Sequence, residues 1–220
     1  MSVPVRRDGA IHVISACIAA CLLRVATSAS APPDAFDELY ARGQKVNAAI
    51  KTLTARFTET TTSSLLTKPI VARGRLAVQR PTRVVLRYTD PDARVVLIDG
   101  DWMTTSWPSR SLTQVTDIRA AQGRVQKYFL NGTAAELRGQ FDIHDHGAAS
   151  DRSDLYYVTM VPKRKQIRDS LAQLDLWVNR SSLLLDAIKM TFANGDTKTM
   201  AFEDVVPNAT IDPGSFTLDR

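Results

Sequence analysis

Asp142, His144 and His146, in the stretch FDIHDHG, are the residues whose types come nearest to a chemistry of their own. Two imidazoles and a carboxylate are a donor set that transition metals accept. Period-two spacing on a strand puts all three on one face, but it also spreads them over about 14 Å at 3.4 Å per residue, too far for one ion on an untwisted strand. The stretch therefore reads as a polar solvent face running into the turn at Gly147, and no metal is expected there. Other templates fail sooner. The chain has no Gly-rich phosphate loop and no Gly-x-Ser-x-Gly elbow, so no catalytic residue and no cofactor are expected.

A different residue stands out by its surroundings. In GRLAVQRPTRVVLRYTDPDARVVLIDG, Gly74 to Gly100, the even positions from Leu76 read Leu76, Val78, Arg80, Thr82, Val84, Leu86, Tyr88. On alternating strands these share one apolar face, and Arg80 interrupts it. At a strand end beside Pro81 the arginine could snorkel to water. If the face lines a concavity, the guanidinium must instead find acceptors, because a buried unpaired charge is strongly destabilising. The nearest suitable acceptors are the last-turn carbonyls of a helix lying over that concavity, which would make Arg80 a latch.

The elements that would position such a face follow from periodicity. Asp34 to Ile50 carries Phe36, Leu39, Tyr40, Val46 and Ile50 at helical spacing, with Asp34 placed to cap, and predicts an amphipathic helix. Leu53 to Thr116 alternates, with β-branched runs punctuated by Pro69, Pro81, Asp90-Pro91, Asp99-Gly100 and Pro108, and predicts a meander of short antiparallel strands. Between Arg119 and Gln140 the period returns to helical: Ala121, Val125, Tyr128 and Phe129 form a stripe, Asn131-Gly132 breaks it, and Thr133 with Glu136 makes a capping box. Strands resume at Phe141–Asp145, Leu155–Val161, Leu174–Asn179, Leu184–Ala193 and Thr197–Val206, with Asn194-Gly195 as a hairpin turn. The basic run KRKQIR, Lys163 to Arg168, reads as a solvated loop, with contact to anionic head groups or an acidic partner as the sharper alternative. These elements predict an α+β domain: an open antiparallel half β-barrel of about ten strands, with short helices forming a lid over an apolar cavity.

The N-terminus belongs to a different logic. Arg6 and Arg7 precede the apolar run Ile11 to Leu23 and the small residues ATSASA, the pattern of a secretory signal cleaved after Ala29 or Ala31. The expected division is signal 1–31 and a single domain 32–220. Cys17 and Cys21 both fall in the signal, so the mature chain has no thiol for a disulfide. ISAC and IAAC also match a lipoprotein signal in which Cys21 would be lipidated, although Leu22 and Leu23 continue the apolar run. The net charge of +5 drops to about +3 once Arg6, Arg7, Arg24 and Asp8 leave, too little to suggest a nucleic-acid partner.

The Gly74–Gly100 stretch resembles the signature of LolA-type periplasmic lipoprotein carriers, which run Gly-x-apolar-x-apolar-x-Arg-Pro, then a strand, a Pro turn and Asp-Gly. The resemblance extends from TLTARFTETT (Thr52 to Thr61) to NATIDPGSFTL (Asn208 to Leu218). It implies a soluble periplasmic monomer that hides the acyl chains of lipoproteins, receives them from an inner-membrane ABC-type transporter and delivers them to an outer-membrane acceptor. Arg80 inherits the role of the arginine that holds the lid closed, and Leu76, Val78, Val84, Leu86 and Tyr88 become the acyl-chain lining. Val84, Leu86 and DWMTTSWP stand where the family often has aromatic residues. Related half-barrels also serve as lipid- or lipoprotein-sensing regulatory modules, the alternative function on the same scaffold.

Overall fold

Alternating runs become strands where each has a neighbour to bond. The computed structural model describes residues 35–125 and 132–218, and the expectations for the signal, Cys17, Cys21, Asp34, Tyr128 and Phe129 lie outside them. Helix α1 (Ala35–Ala48) is followed by six strands, β1 (Thr52–Thr62), β2 (Ile70–Gln79), β3 (Arg83–Asp90), β4 (Arg94–Asp99), β5 (Trp102–Trp107) and β6 (Leu112–Asp117). Helices α2 (Arg119–Val125) and α3 (Ala134–Gln140) come next. The second half comprises β7 (Phe141–Ala148), β8 (Leu155–Pro162), the single-turn α4 (Lys165–Arg168), β9 (Leu171–Asn179), β10 (Leu185–Phe192) and β11 (Thr197–Pro207). KRKQIR is therefore not a plain loop: Lys165 bridges to Asp169 one turn on, and Arg168 donates to the carbonyl of Lys163, closing the turn.

All eleven strands join one antiparallel sheet in the order β6-β5-β4-β3-β2-β1-β11-β10-β9-β8-β7, one more strand than the expected ten. The order is linear, so β6 and β7 are the end strands among the described residues and the barrel is unclosed. Its seam is β1 against β11, with Phe57 opposite Phe202. Two hairpin turns use left-handed backbone supplied by glycine, Gly100 at φ +59 and Gly195 at φ +85.

Register sets the two faces. Leu53, Ala55, Phe57 and Glu59 on β1 lie opposite Val78, Leu76, Gly74 and Ala72 on β2. Leu76, Val78 and Gly74 in turn face Leu86, Val84 and Tyr88 on β3, so the even-numbered face read from the sequence continues across the hairpin. The main core lies where α1 and α3 cover this inner face: Phe36, Leu39 and Leu137 pack with Phe141, Val158, Met160 and Leu174. Thr133 and Glu136 form the expected capping box, which fixes where α3 begins and points Leu137 inward. The outer face has a smaller core of its own, in which Phe216, on a 3-10 turn (Pro213–Phe216) of the C-terminal segment, packs on Val85 and Val95.

Candidate functional site: a lidded apolar cavity

Between α1 and the inner face of the sheet lies a cavity of about 420 Å³. Its floor is apolar: Leu53 and Ala55 from β1, Leu76 and Val78 from β2, Phe202 and Val205 from β11. Val158, Met160, Leu176 and Val178 continue it across β8 and β9, and Leu183 to Leu185 close one end. The roof is α1, whose Phe36, Leu39 and Gly43 face the floor. Tyr40, Gln44 and Asn47 recur at helical spacing along the same roof and give it a polar line.

Each polar group of the roof is held. Gln44 donates to the Tyr40 hydroxyl at 2.8 Å, and that hydroxyl donates to the carbonyl of Gly132, just before α3. Burial raises the pKa of the Tyr40 phenol above its ordinary value, so it stays a neutral donor. Asp37 of α1 pairs with Arg138 of α3 at 3.1 Å, and the same guanidinium lies over the Phe36 ring. This pair and the Tyr40 bond tie α1 to α3 and to the residue just before it.

Arg80 is the one charged side chain lining this cavity among the described residues. Its main-chain N–H donates to Lys51 just after α1, and its guanidinium donates to the side-chain carbonyl of Asn47 in the last turn of α1. The expected acceptor was a main-chain carbonyl. The structure puts the Asn47 side-chain amide there instead, in the last turn of a helix that ends at Ala48. Asn208, just beyond β11, reinforces the same corner by accepting from Lys51 N–H and donating to the carbonyl of Ala49.

The five residues of the expected lining are placed differently by the structure. Leu76 and Val78 line the cavity with Arg80. Val84, Leu86 and Tyr88 share their sheet face but are not among the residues that line the cavity. Leu86 and Tyr88 pack instead in a cluster with Phe57 and Ala72. Farther along that face a carboxylate is buried: Glu59 Oε1 lies 3.3 Å from Arg94 and 3.4 Å from Lys198, and the Arg94 guanidinium sits 3.7 Å above the centre of the Tyr88 ring. Nothing in ETTT marks Glu59 as buried, since its partners come from three other strands.

Asp142, His144 and His146 are engaged elsewhere or exposed. Asp142 pairs with Lys163, and His146 stacks on Tyr157 with its Nε2 3.0 Å from the Thr159 hydroxyl. Among the described residues no group of three or more His, Cys, Asp or Glu side chains is placed to hold a metal.

Residues 48–219 match the family described as outer membrane lipoprotein carrier protein LolA. The chain belongs to the LolA family. Two relatives, each named outer-membrane lipoprotein carrier protein, come from Pseudomonas entomophila and Chromobacterium violaceum. The first is 24% identical, with 77% of this chain and 78% of the relative covered. The second is 29% identical, with 76% of each covered. Solved structures share the fold at lower identity. An uncharacterized conserved protein from Thermus thermophilus is 7% identical, with a TM-score of 0.53 and coverage of 83% and 93%. A chain of the Pseudomonas aeruginosa MucA/MucB complex is 12% identical, with a TM-score of 0.52 and coverage of 83% of this chain and 60% of that one. The LolA fold is thus an unclosed antiparallel sheet with few short helices, and in this member it encloses the cavity that Arg80 and Asn47 border.

Proposed function

We propose that this LolA-family chain is a periplasmic chaperone that sequesters the acyl chains of lipoproteins and carries them from the inner to the outer membrane without covalent chemistry. The observation that carries the reading is an apolar cavity roofed by a helix whose last turn is tied to the sheet by one arginine. Residues 1–31 act as its export signal, and residues 32–220 form the carrier domain. Its partners are acylated lipoproteins, an ABC-type releasing transporter in the inner membrane and an acceptor in the outer membrane.

The physics of such a carrier is asymmetric. Each CH₂ hidden from water contributes about 0.8 kcal/mol, so an acyl chain enters readily and leaves only with assistance. The Arg80–Asn47 contact supplies the opposing weight by favouring the closed, empty lid, so that cargo and partners shift a two-state element by their differential affinity. Leu76 and Val78 meet the chain first, and Val84, Leu86 and Tyr88 extend its path when the lid lifts.

The test loads the protein with a labelled acylated lipoprotein and follows transfer to acceptor membranes. Saturable binding of the acylated form, none of its unacylated counterpart, and transfer to membranes support the reading; equal binding of both forms overturns it. A second reading, a periplasmic lipid- or lipoprotein-sensing regulatory module, is favoured by the fold shared with MucB, a protein crystallised in complex with MucA. Copurification of free lipid but never of lipoprotein selects that reading.

A further inference from the structure

On the outer face of the sheet, away from the acyl cavity, three arginines stand in one row. Arg56 on β1 is the register partner of Arg75 on β2, and Arg75 is the register partner of Arg87 on β3. Like charges directly opposite on neighbouring strands repel, and here the repulsion is repeated across two strand pairs. All three border one cleft of about 420 Å³, formed where the C-terminal segment from Thr210 to Ser215 crosses the sheet.

The outer two arginines are tied off locally. Arg56 pairs with Asp204 at 2.6 Å and with Glu203 at 3.3 Å, and Arg87 donates to the carbonyls of Ser215 and Thr217. The acids of the cleft are likewise committed, Asp204 to Arg56 and Asp212 to the N–H of Gly214. The side chain of Arg75, in the middle, makes no hydrogen bond or ion pair among the described residues. It is left with a cation on either side and an open cleft before it.

We propose that this cleft binds the phosphate group of a phosphate ester, gripped by the Arg75 fork. A guanidinium presents paired N–H donors that match phosphate oxygens, and a tetrahedral anion has oxygens to spare for the neighbouring cations. The hydroxyls of Thr54, Thr210 and Ser215 border the same cleft and add neutral donors. A bound phosphate would supply Arg75 with the counter-ion that its side chain lacks among the described residues.

Inorganic phosphate is titrated by calorimetry into the full chain at low ionic strength, alongside Arg75→Ala, Arg75→Lys and Arg110→Ala, the last removing an arginine of another surface. Wild type and Arg110→Ala should bind saturably, Arg75→Ala about tenfold more weakly or worse, and Arg75→Lys in between, since a hydrogen bond to a charged group is worth about that factor. Vesicles of phosphatidylcholine with and without phosphatidylglycerol identify the source. Arg75-dependent capture by phosphatidylglycerol, displaced by inorganic phosphate, assigns a lipid head group; phosphate binding without capture assigns a soluble ester. No saturable binding by wild type, or equal weakening in Arg75→Ala and Arg110→Ala, overturns the proposal.

Discussion

The Tyr88 hydroxyl donates to Glu59 Oε2 at 2.8 Å across the inner face of the sheet, and Arg94 and Lys198 hold the other carboxylate oxygen. Burial pushes the Tyr88 phenol up to about 12 from an ordinary value of 10.0. In the unfolded chain the phenol ionises first, so this stabilisation is complete below pH 10 and is lost as pH rises to about 12. Two units correspond to about 2–3 kcal/mol. Tyr88→Phe should therefore flatten the alkaline limb of a stability–pH curve measured by denaturant melts. An unchanged slope between wild type and variant would show that Tyr88 is not responsible for it.

Arg80→Leu keeps apolar volume while removing the bond to Asn47. Cargo binding should persist and release should slow, because the closed empty state loses about 1.5–3 kcal/mol while the open loaded state loses little. That is about ten- to a hundredfold in the loaded fraction. Asn47→Ala should act alike, and the double variant should add almost nothing to either single one. Equal transfer rates with equal affinity would return Arg80 to a surface side chain.

Gly74 lies under the Phe57 ring. A Cβ at this position would run into the carbonyl oxygen of Arg87 and meet Phe57 Cζ at 2.7 Å. Phe57 can turn aside, but the β3 backbone cannot. Gly74→Ala should lower stability by about 3 kcal/mol, read as a fall in melting temperature, and adding Phe57→Leu should restore only part of it.

Phe216 is 6% exposed and carries the outer core with Val85 and Val95. Phe216→Ala should cost about 3–5 kcal/mol in chemical denaturation. Because this core is on the face opposite the acyl cavity, binding of an acylated protein by the folded fraction should be unchanged. A loss of binding without loss of stability would mean that the two faces communicate.

What the sequence made legible follows the range of the interactions. The β2–β3 face from Leu76 to Tyr88 was readable because alternation is local, and the Thr133–Glu136 capping box because it spans a single turn. The pairing of β1 with β11 was not, since periodicity says nothing about which distant strand supplies the partner. The same limit applies to the cavity: the shared face of Leu76, Val78, Val84, Leu86 and Tyr88 is a local pattern, but which part of that face a helix roofs is a tertiary fact. Glu59 and Asn47 escaped notice because a Glu in a polar strand and an Asn near a helix end are ordinary until their partners arrive.

The linear sheet order has a consequence for how the chain folds. Strands β1 to β6 pair in sequence order, as do β7 to β11, so each half can zip through short loops, and only the seam between β1 and β11 joins residues as distant as Leu53 and Pro207. Closing that loop is the entropically slow step. Until β11 arrives, β1 presents an unsatisfied edge with Phe57 on one face, the kind of edge that recruits strands from other chains. Refolding yield should accordingly fall with protein concentration, and pulsed hydrogen exchange should find the amides of β1 that face β11 protected last.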